Sequence, residues 1–296
     1  MQRRVRQKFV QQKLLGWFRI HWRDLPWRRT RDPYKILISE IMLQQTQVDR
    51  VLPKYAAFLR RFPTLRHLAR AQRSSVITMW SGLGYNNRAV RLHKTAQEIV
   101  RHGKRFPQSF DDLVQLPGVG AYTARAMQSF AFGVRVAAVD VNHARVVRRI
   151  FFGLRDVPMK RIKQFADSLS PEKDHVEWNQ AMMDFGALVC KARPLCTVCP
   201  LRTQCKAFPT ILTVPRKSKN ANEPFMDSNR YFRGRIVEAL RKLPHGKLIS
   251  ESALLHLVQN QRNILPARFH ALIEDLEHDG IIVKGTQSRT ATVMLS

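Results

Sequence analysis

The chain has 296 residues, and its 51 Lys and Arg against 22 Asp and Glu give a formal net charge of +29. This excess is larger than solubility requires, and it indicates a polyanionic partner whose phosphates the basic side chains neutralise. No stretch is long and apolar enough to span a bilayer, and the basic N-terminus lacks a signal-peptide core. The composition therefore predicts a nucleic-acid protein of the cytoplasm, associated with the nucleoid and without a membrane partner.

Apolar residues recur at helical spacing through most of the chain, for example over residues 36–43, 51–59 and 92–99. Alternating strand patterns are nearly absent before the C-terminal end. We expect a helical body as far as about residue 207 and a polar linker over residues 208–229.

The segment over residues 230–296 has a different pattern. Helical periodicity over residues 231–243, 250–259 and 266–278 is followed by two short strands over residues 281–284 and 290–295. Three helices and a hairpin with Arg289 in its turn are typical of a winged-helix module, and a small helical packing domain is the alternative. The predicted fold class is mainly α, with this small α/β module at the C-terminal end.

Glu40 lies in a predicted helix that is apolar on nearly every face. A carboxyl group there is buried or lines a cavity, so desolvation disfavours its charged form and raises its pKa. Such a group is suited to general acid catalysis. The alternative is a narrow polar stripe that Glu40 shares with Gln44 and Gln47.

Residues 116–123, with Gly118 and Gly120, fit the turn of a helix-hairpin-helix motif. Glycines let the backbone approach a phosphate, and the following helix offers free N–H groups to it. The alternative is an ordinary tight turn between helices.

Asp140 precedes a predicted helix over residues 142–152 and occupies its N-cap position. A carboxylate there accepts backbone N–H bonds and stays ionised at neutral pH. Ordinary capping is the alternative. Two carboxyl groups in such different environments are suited to divided acid and stabilising roles in the cleavage of a sugar bond.

All four cysteines, Cys190, Cys196, Cys199 and Cys205, lie in one loop-rich segment. Their spacing is typical of one four-thiolate metal site, for which we favour an iron–sulfur cluster. A structural zinc ion and a pair of disulfides are the alternatives.

Several motifs together resemble the A/G-specific adenine DNA glycosylases, the MutY family of the helix-hairpin-helix glycosylase superfamily. They are Leu-Pro-Trp-Arg at residues 25–28, the block at 39–48, Gly-Leu-Gly-Tyr at 82–85, the hairpin, Val-Asp-Val-Asn at 139–142 and the four cysteines. The similarity implies a monomer that binds double-stranded DNA with a mismatch or damaged base and excises a flipped adenine. It also implies a 4Fe-4S cluster in a helical iron–sulfur domain of residues 1–28 and 134–207, and a six-helix domain of residues 29–133.

The resemblance assigns catalytic roles. Glu40 corresponds to the acid that protonates the adenine ring, and Asp140 to the carboxylate that stabilises the sugar oxocarbenium. Tyr122 and Asn142 correspond to polar residues that support this carboxylate and the water. Bifunctional relatives such as endonuclease III have a Schiff-base-forming lysine at the position of Tyr122, so tyrosine there predicts a monofunctional glycosylase.

The resemblance also implies contacts with DNA. Gln45 and Tyr85 correspond to side chains that enter the base stack beside the vacated base. Arg28 and Gln180 correspond to readers of the adenine edge, while Gly118 belongs to the phosphate-binding hairpin.

The chain departs from the family at three places. The gap between Cys190 and Cys196 is one residue shorter than usual, and Asn86-Asn87-Arg88 follows Tyr85 where a second tyrosine is common. The C-terminal segment is too short and too helical for the family's NUDIX-like domain, which checks for 8-oxoguanine. The sequence therefore leaves the opposite base open between guanine and 8-oxoguanine.

Two other functions fit parts of the pattern. A glycosylase of the same fold that removes thymine or uracil opposite guanine shares the two carboxyl groups and the hairpin tyrosine, but Gln44-Gln45-Thr46 and Gln180 favour adenine. A non-catalytic iron–sulfur DNA-binding protein is the alternative of another class, and the presence of both Glu40 and Asp140 in matching contexts argues against it.

Overall fold

The computed structural model of the chain describes residues 2–103, 105–214, 224–259, 263–287 and 290–296. Contacts divide the chain into two compact units. The first comprises Met1–Glu40, Pro107–Gln115 and Val119–Lys217, and the second comprises Ile41–Phe106, Leu116–Gly118 and Ser218–Ser296. The C-terminal segment is thus grouped with Ile41–Phe106, while the domain limits expected from the resemblance stay a prediction.

Helices account for most of the described residues, as the sequence predicts. In chain order they are α1 Gln2–Ile20, α2 Pro33–Leu43, α3 Val48–Arg61, α4 Leu65–Arg70, α5 Arg73–Met79, α6 Asn87–Arg101, α7 Phe110–Gln115, α8 Ala121–Phe130, α9 Val141–Val147, α10 Met159–Leu169, α11 His175–Leu188, α12 Asn229–Arg241, α13 Glu251–Gln259 and α14 Pro266–His278. Within the described residues, no helix is long and apolar enough to cross a membrane.

The core of the first unit forms around α1, α9, α10 and α11. Val10, Leu14 and Phe18 recur every four residues along α1, so they form one buried stripe. Trp178 and Phe185 of α11 are likewise buried in this core. The packing fixes α9, whose first turn follows Asp140, on a rigid support.

The helix predicted over residues 142–152 is confirmed in outline but is not uniform. After α9 the chain continues as a π-helical turn, Arg148–Phe152. It ends at Gly153, whose φ of 75° lies in the region that favours glycine.

The second unit contains α3 to α6 and a small C-terminal α/β module, residues 224–296. In the described part of the chain, the strands β1 Ile249–Ser250, β2 Ile282–Gln287 and β3 Thr290–Leu295 form an antiparallel sheet in the order β1-β3-β2. The module shares one core with α5 and α6, because Ile77 and Val90 lie in the same buried cluster as Phe232 and Ile236.

The predicted three helices and hairpin of this module are present. The two-residue strand β1 was not predicted. Arg289 lies outside the described residues, as do residues 215–223 of the predicted linker. The described parts of that linker contain 3-10 turns at Thr210–Leu212 and Phe225–Asp227.

Candidate active site

Glu40 is buried in the last turns of α2, with 6% of its surface exposed. Burial raises the pKa of its carboxyl to about 7, and the charge of Asp140 acts in the same direction. A hydrogen bond with Tyr122 and the positive charge of Arg28 oppose this shift. The predicted burial and raised pKa are confirmed, and they leave a large protonated fraction at neutral pH.

Tyr122 lies in the first turn of α8 and is half-buried. Its hydroxyl is hydrogen-bonded with Glu40 and lies 3.9 Å from the Sδ atom of Met183. Burial and the neighbouring carboxylates raise the pKa of this hydroxyl well above its usual range. Tyr122 is therefore a neutral hydrogen-bond partner beside the acid.

Asp140 is the N-cap of α9, as the sequence predicts. Its Oδ1 atom accepts the backbone N–H of His143 at 2.6 Å, and its Oδ2 atom accepts the side-chain amide of Asn142 at 3.0 Å. Burial raises the pKa of this carboxyl, while these bonds and the charge of Arg145 lower it. The two carboxyl groups therefore differ in their partners more than in their burial.

Asn179, which sequence reasoning missed, fixes the extended segment before Asp140. Its side chain accepts the N–H of Ala138 at 3.0 Å and donates to the carbonyl of Val136 at 2.8 Å and to Ser129 Oγ at 2.9 Å. Because Asn179 is fully buried, these bonds have no competition from water. The approach of the chain to Asp140 is thus set by α11.

A close contact between α9 and α11 also positions Asn142. A Cβ atom at Gly186 would lie 2.7 Å from the Cβ atom of Asn142 and 3.0 Å from its carbonyl oxygen. Arg145 donates to Asn142 Oδ1 at 2.6 Å and to the Gly186 carbonyl at 2.7 Å, and its Nε–H donates to the Cys190 carbonyl at 2.8 Å. One guanidinium therefore connects the neighbour of Asp140 with the cysteine segment.

Arg28 is held by a carboxylate that sequence reasoning missed. Asp184, fully buried on α11, accepts two bonds of 2.8 Å from the Arg28 guanidinium and a further bond from Arg23. Gln180 lies one helical turn before Asp184 and is half-buried, so both share one face of α11. Together with a bond of 3.2 Å to the Arg23 carbonyl, the bonds to Asp184 use three of the five N–H donors of Arg28, so two donors and the charge are left for other partners.

The hairpin turn connects α7 with α8. Gly118 has a φ of 81°, and a Cβ atom there would lie 3.0 Å from the side chain of Arg91, so this position requires glycine. Gly120 is exposed, caps the N-terminus of α8 and faces open space. The backbone N–H groups of this turn are therefore accessible to a phosphate.

Gln45 and Tyr85 lie in the second unit at strained backbone positions, with φ of 56° and 45°. Positive φ is uncommon for residues other than glycine and persists where the surroundings impose it. Gln45 is exposed and Tyr85 half-buried. Both candidate stack-entering residues thus lie on tightly constrained turns.

Arg88 constrains both turns, and sequence reasoning missed it. Its buried guanidinium donates to the carbonyls that end α2 and to the turn before α6. The acceptors are the carbonyls of Ile41 and Met42, both at 2.9 Å, Gln44 at 2.7 Å, Leu83 at 3.0 Å and Gly84 at 2.9 Å, together with Thr46 Oγ1 at 3.0 Å. Burial lowers the pKa of Arg88 to about 10, so it stays charged at neutral pH.

The four cysteines line one cavity with apolar walls. The Arg149 guanidinium lies 3.5 Å from the Cys190 sulfur, and the backbone carbonyl oxygen of Arg149 lies 3.5 Å from the Cys205 sulfur. Among the described residues, no group of three or more His, Cys, Asp or Glu side chains is arranged to hold a metal ion. Four thiols around one cavity are compatible both with an iron–sulfur cluster and with a structural zinc ion.

Comparisons with known proteins agree with this geometry. Residues 38–171 match the family model described as HhH-GPD superfamily base excision DNA repair protein. An adenine DNA glycosylase of Mycolicibacterium smegmatis is 39% identical over 237 residues, covering 77% of this chain and 79% of the relative. The human adenine DNA glycosylase is 40% identical over 209 residues, covering 66% of this chain and 38% of that protein.

Solved structures show the same fold. A thermostable thymine-DNA glycosylase superposes with a TM-score of 0.67 at 31% identity, covering 71% of this chain and all of the neighbour. An endonuclease III–DNA covalent intermediate superposes with a TM-score of 0.61 at 24% identity, covering 70% of this chain and 96% of that one.

Proposed function

The chain belongs to the adenine DNA glycosylase family of the HhH-GPD superfamily, and from this premise we propose that Glu40 and Asp140 carry out its reaction on adenine mispaired with guanine or 8-oxoguanine. The chain is a DNA N-glycosylase of base excision repair. The observation that carries the proposal is the juxtaposition of a buried Glu40 with a pKa of about 7 and the capped carboxylate of Asp140.

The reaction begins with a flipped adenine, because a stacked base is out of reach. Glu40 gives its proton to the adenine ring, and the bond between base and sugar then breaks with its electron pair on the base. The sugar becomes an oxocarbenium cation, which the Asp140 carboxylate stabilises. Water adds to the sugar carbon and gives up a proton to the Glu40 carboxylate, so the acid is restored and the products are free adenine and an abasic site.

Tyr122 and Asn142 position these two carboxyl groups. Tyr122 holds Glu40 by a hydrogen bond, and Asn142 holds Asp140 at 3.0 Å. Neither side chain carries an amine that can form a Schiff base with the sugar. We therefore assign a monofunctional reaction that leaves the DNA strand uncut.

The DNA contacts in this proposal follow the residues of the site. Gln45 and Tyr85 enter the stack beside the vacated base, and their strained turns support this role. Gln180 reads the adenine edge together with Arg28, which Asp184 holds in place by two hydrogen bonds. The turn with Gly118 and Gly120 binds a phosphate.

A 4Fe-4S cluster bound by Cys190, Cys196, Cys199 and Cys205 completes the proposal. All four line one cavity, and relatives of the endonuclease III type share the fold. The cluster would stabilise the cysteine segment, where the Cys190 carbonyl accepts a hydrogen bond from Arg145, the same side chain that donates to Asn142. Purified protein should contain iron and acid-labile sulfide in equal amounts of about four per chain, and Cys199→Ser should lose both. A stoichiometric zinc content without iron would contradict the cluster.

The function is tested by single-turnover cleavage of duplexes that contain A:8-oxoG, A:G, T:G or U:G, with strand scission read after alkali. We expect adenine release from the first two and intact strands without alkali. Cleavage confined to T:G and U:G would replace the adenine assignment by the activity that names the thymine-DNA glycosylase neighbour.

Two isosteric variants serve as matched controls. Glu40→Gln removes the proton donor, and Asp140→Asn removes the negative charge while it keeps the cap. Each should lower the single-turnover rate by at least about 100-fold with little change in DNA affinity. An undiminished rate in Glu40→Gln would refute the mechanism. The monomeric state and the nucleoid location stay predictions.

A further inference from the structure

The C-terminal module carries little of the charge that marks the rest of the chain. Residues 224–296 contain ten Lys and Arg against seven Asp and Glu, whereas the whole chain has 51 against 22. Its last helix, α14, ends in an acidic stretch. That stretch presents the exposed side chains of Glu274, Asp275 and Glu277. A helix with this charge is unsuited to lie in a DNA groove, so the module does not read DNA through α14.

The basic side chains of the module are concentrated on α12 instead. Arg233 forms ion pairs with Asp275 at 3.5 Å and with Asp279, so it holds α12 against α14. Arg230 is exposed, and no carboxylate of the described residues pairs with it. The two arginines therefore serve different purposes.

The polar contacts of α12 converge on the turn that carries Tyr85. Arg241 donates to Asn86 Oδ1 and to the Ile77 carbonyl, both at 2.8 Å. Glu238 accepts a hydrogen bond from Ser81 at 3.3 Å. Because Arg241 is nearly buried, its bonds are shielded from water and hold the turn firmly.

Arg230 completes this support from above the tyrosine ring. Its guanidinium carbon lies 4.0 Å from the ring centroid of Tyr85, and the Arg88 guanidinium lies 5.7 Å from the same ring. A planar guanidinium at this distance restricts the rotation of the ring. α12, Arg50 and the turn also line an open groove of about 570 Å³ beside the ring.

We propose that the C-terminal module is the support of the Tyr85 turn and that Arg230 is a positioning residue, which orients the Tyr85 ring for entry into the DNA stack. The module thus takes part in mispair recognition without a base contact of its own. The inference rests on the proposed role of Tyr85. It adds to that role Arg230, a residue far from Tyr85 along the chain.

The test compares Arg230→Ala with Lys242→Ala, which removes an exposed charge from the C-cap residue of the same helix. Arg230→Ala should weaken binding to an A:8-oxoG duplex about three- to tenfold and change binding to a fully paired duplex less than about twofold. Lys242→Ala should leave binding to both duplexes unchanged. Equal weakening on both duplexes would show that Arg230 is only a phosphate contact and would overturn the proposal.

A spectroscopic measurement on the free protein separates this inference from the proposed function. The Trp80 indole N–H donates to the Gly84 carbonyl at 3.2 Å, so it reports on the turn. In protein labelled with 5-fluorotryptophan, Arg230→Ala should shift the ¹⁹F resonance of Trp80, assigned with Trp80→Phe, and Lys242→Ala should not. If the Trp80 resonance does not shift in Arg230→Ala, the C-terminal module does not support the Tyr85 turn. Inactivity of the wild-type protein on adenine mispairs would instead refute only the proposed glycosylase function.

Discussion

Glu40 and Asp140 show how two carboxyl groups in one site acquire different pKa values. Both lose solvation on burial, which raises the pKa of each. The His143 N–H and the Asn142 amide lower the pKa of Asp140 against this effect, although burial is the larger cause and the pKa stays raised. Glu40 has Tyr122 as its principal hydrogen-bond partner and lies close to a second negative charge. A large fraction of Glu40 is therefore protonated near pH 7.

The rate of adenine release should depend on pH through this group. Because the general acid acts in its protonated form, kcat/KM should fall about tenfold per unit above pH 7, near the pKa of about 7 of Glu40 in the free protein. It should also fall in acid, where the Asp140 carboxylate becomes protonated. The measurement is a single-turnover series at subsaturating enzyme and fixed ionic strength. A rate that rises through pH 7 would assign Glu40 to a base instead.

The same pKa predicts a pH-dependent stability. The folded protein binds the Glu40 proton more tightly than the unfolded chain, so stability from this group is present below about pH 4.5 and lost as the pH rises to about 7. Glu40→Gln should therefore be more stable than the wild type at pH 8, by on the order of 2–3 kcal/mol in the free energy of unfolding. Chemical denaturation at pH 5 and pH 8 measures the difference, which should shrink at the lower pH.

Tyr122→Lys should convert the reaction type. Burial lowers the pKa of a lysine at this position and frees its amine for attack on the sugar. Borohydride should then trap a covalent protein–DNA adduct that the wild type and Tyr122→Phe do not form. Efficient trapping of the wild-type protein would contradict the monofunctional assignment.

At the residue scale, the sequence predicts which side chains are buried better than it predicts their hydrogen-bond and ion-pair partners. The apolar surroundings of Glu40 were visible in its own helix, and the N-cap position of Asp140 was visible from its neighbours. The pairing of Arg28 with Asp184 joins residues 156 positions apart, so no local pattern contains it. Asn179 was missed for the same reason, because its partners lie on other elements.

At the scale of elements, α6 links the two turns that carry Gln45 and Tyr85 through one side chain. Arg88 satisfies carbonyl groups at the end of α2, which would otherwise lack partners. Its charge is buried, so its loss leaves several polar groups unpaired.

Arg88→Ala should lower the free energy of unfolding by about 3 kcal/mol or more, with a parallel loss of mispair cleavage. Arg88→Lys should recover only a minor part, because an ammonium cannot reach both turns as the planar fork does. Lys94→Ala, on the exposed face of the same helix, is the matched control and should be neutral. If Arg88→Ala kept the wild-type melting temperature, this result would contradict the role of Arg88 in holding the two turns.

The helices of the C-terminal module were predictable within about two residues because their apolar positions recur strictly. The strand β1 was not, since two residues give no periodicity. The strained turns at Gln45 and Tyr85 were also not predictable, because neither residue type by itself favours positive φ. Tertiary contacts such as those of Arg88 impose these conformations.

At the scale of the whole molecule, the net charge of +29 makes salt a principal variable. The logarithm of the DNA association constant should fall linearly with the logarithm of salt concentration, with a slope of about −5 to −9 if six to ten phosphates are neutralised. Lys191→Ala and Arg193→Ala, exposed in the cysteine segment, should each reduce that slope by about 1. In both variants the cleavage rate at saturating enzyme should change little. A salt slope near zero for the wild-type protein would exclude phosphate contacts as the main source of DNA affinity.

The contact between Gly186 and Asn142 sets the spacing of two helices by the absence of a single methyl group. Overpacking of this kind typically costs 1–3 kcal/mol, which a protein of ordinary stability survives. If Asn142 supports Asp140 as proposed, a cell with alanine at this position should contain normal amounts of the protein by antibody, while unrepaired mispairs accumulate as mutations. The missing methyl group would then be a weak point of genome maintenance that measurements of protein abundance overlook.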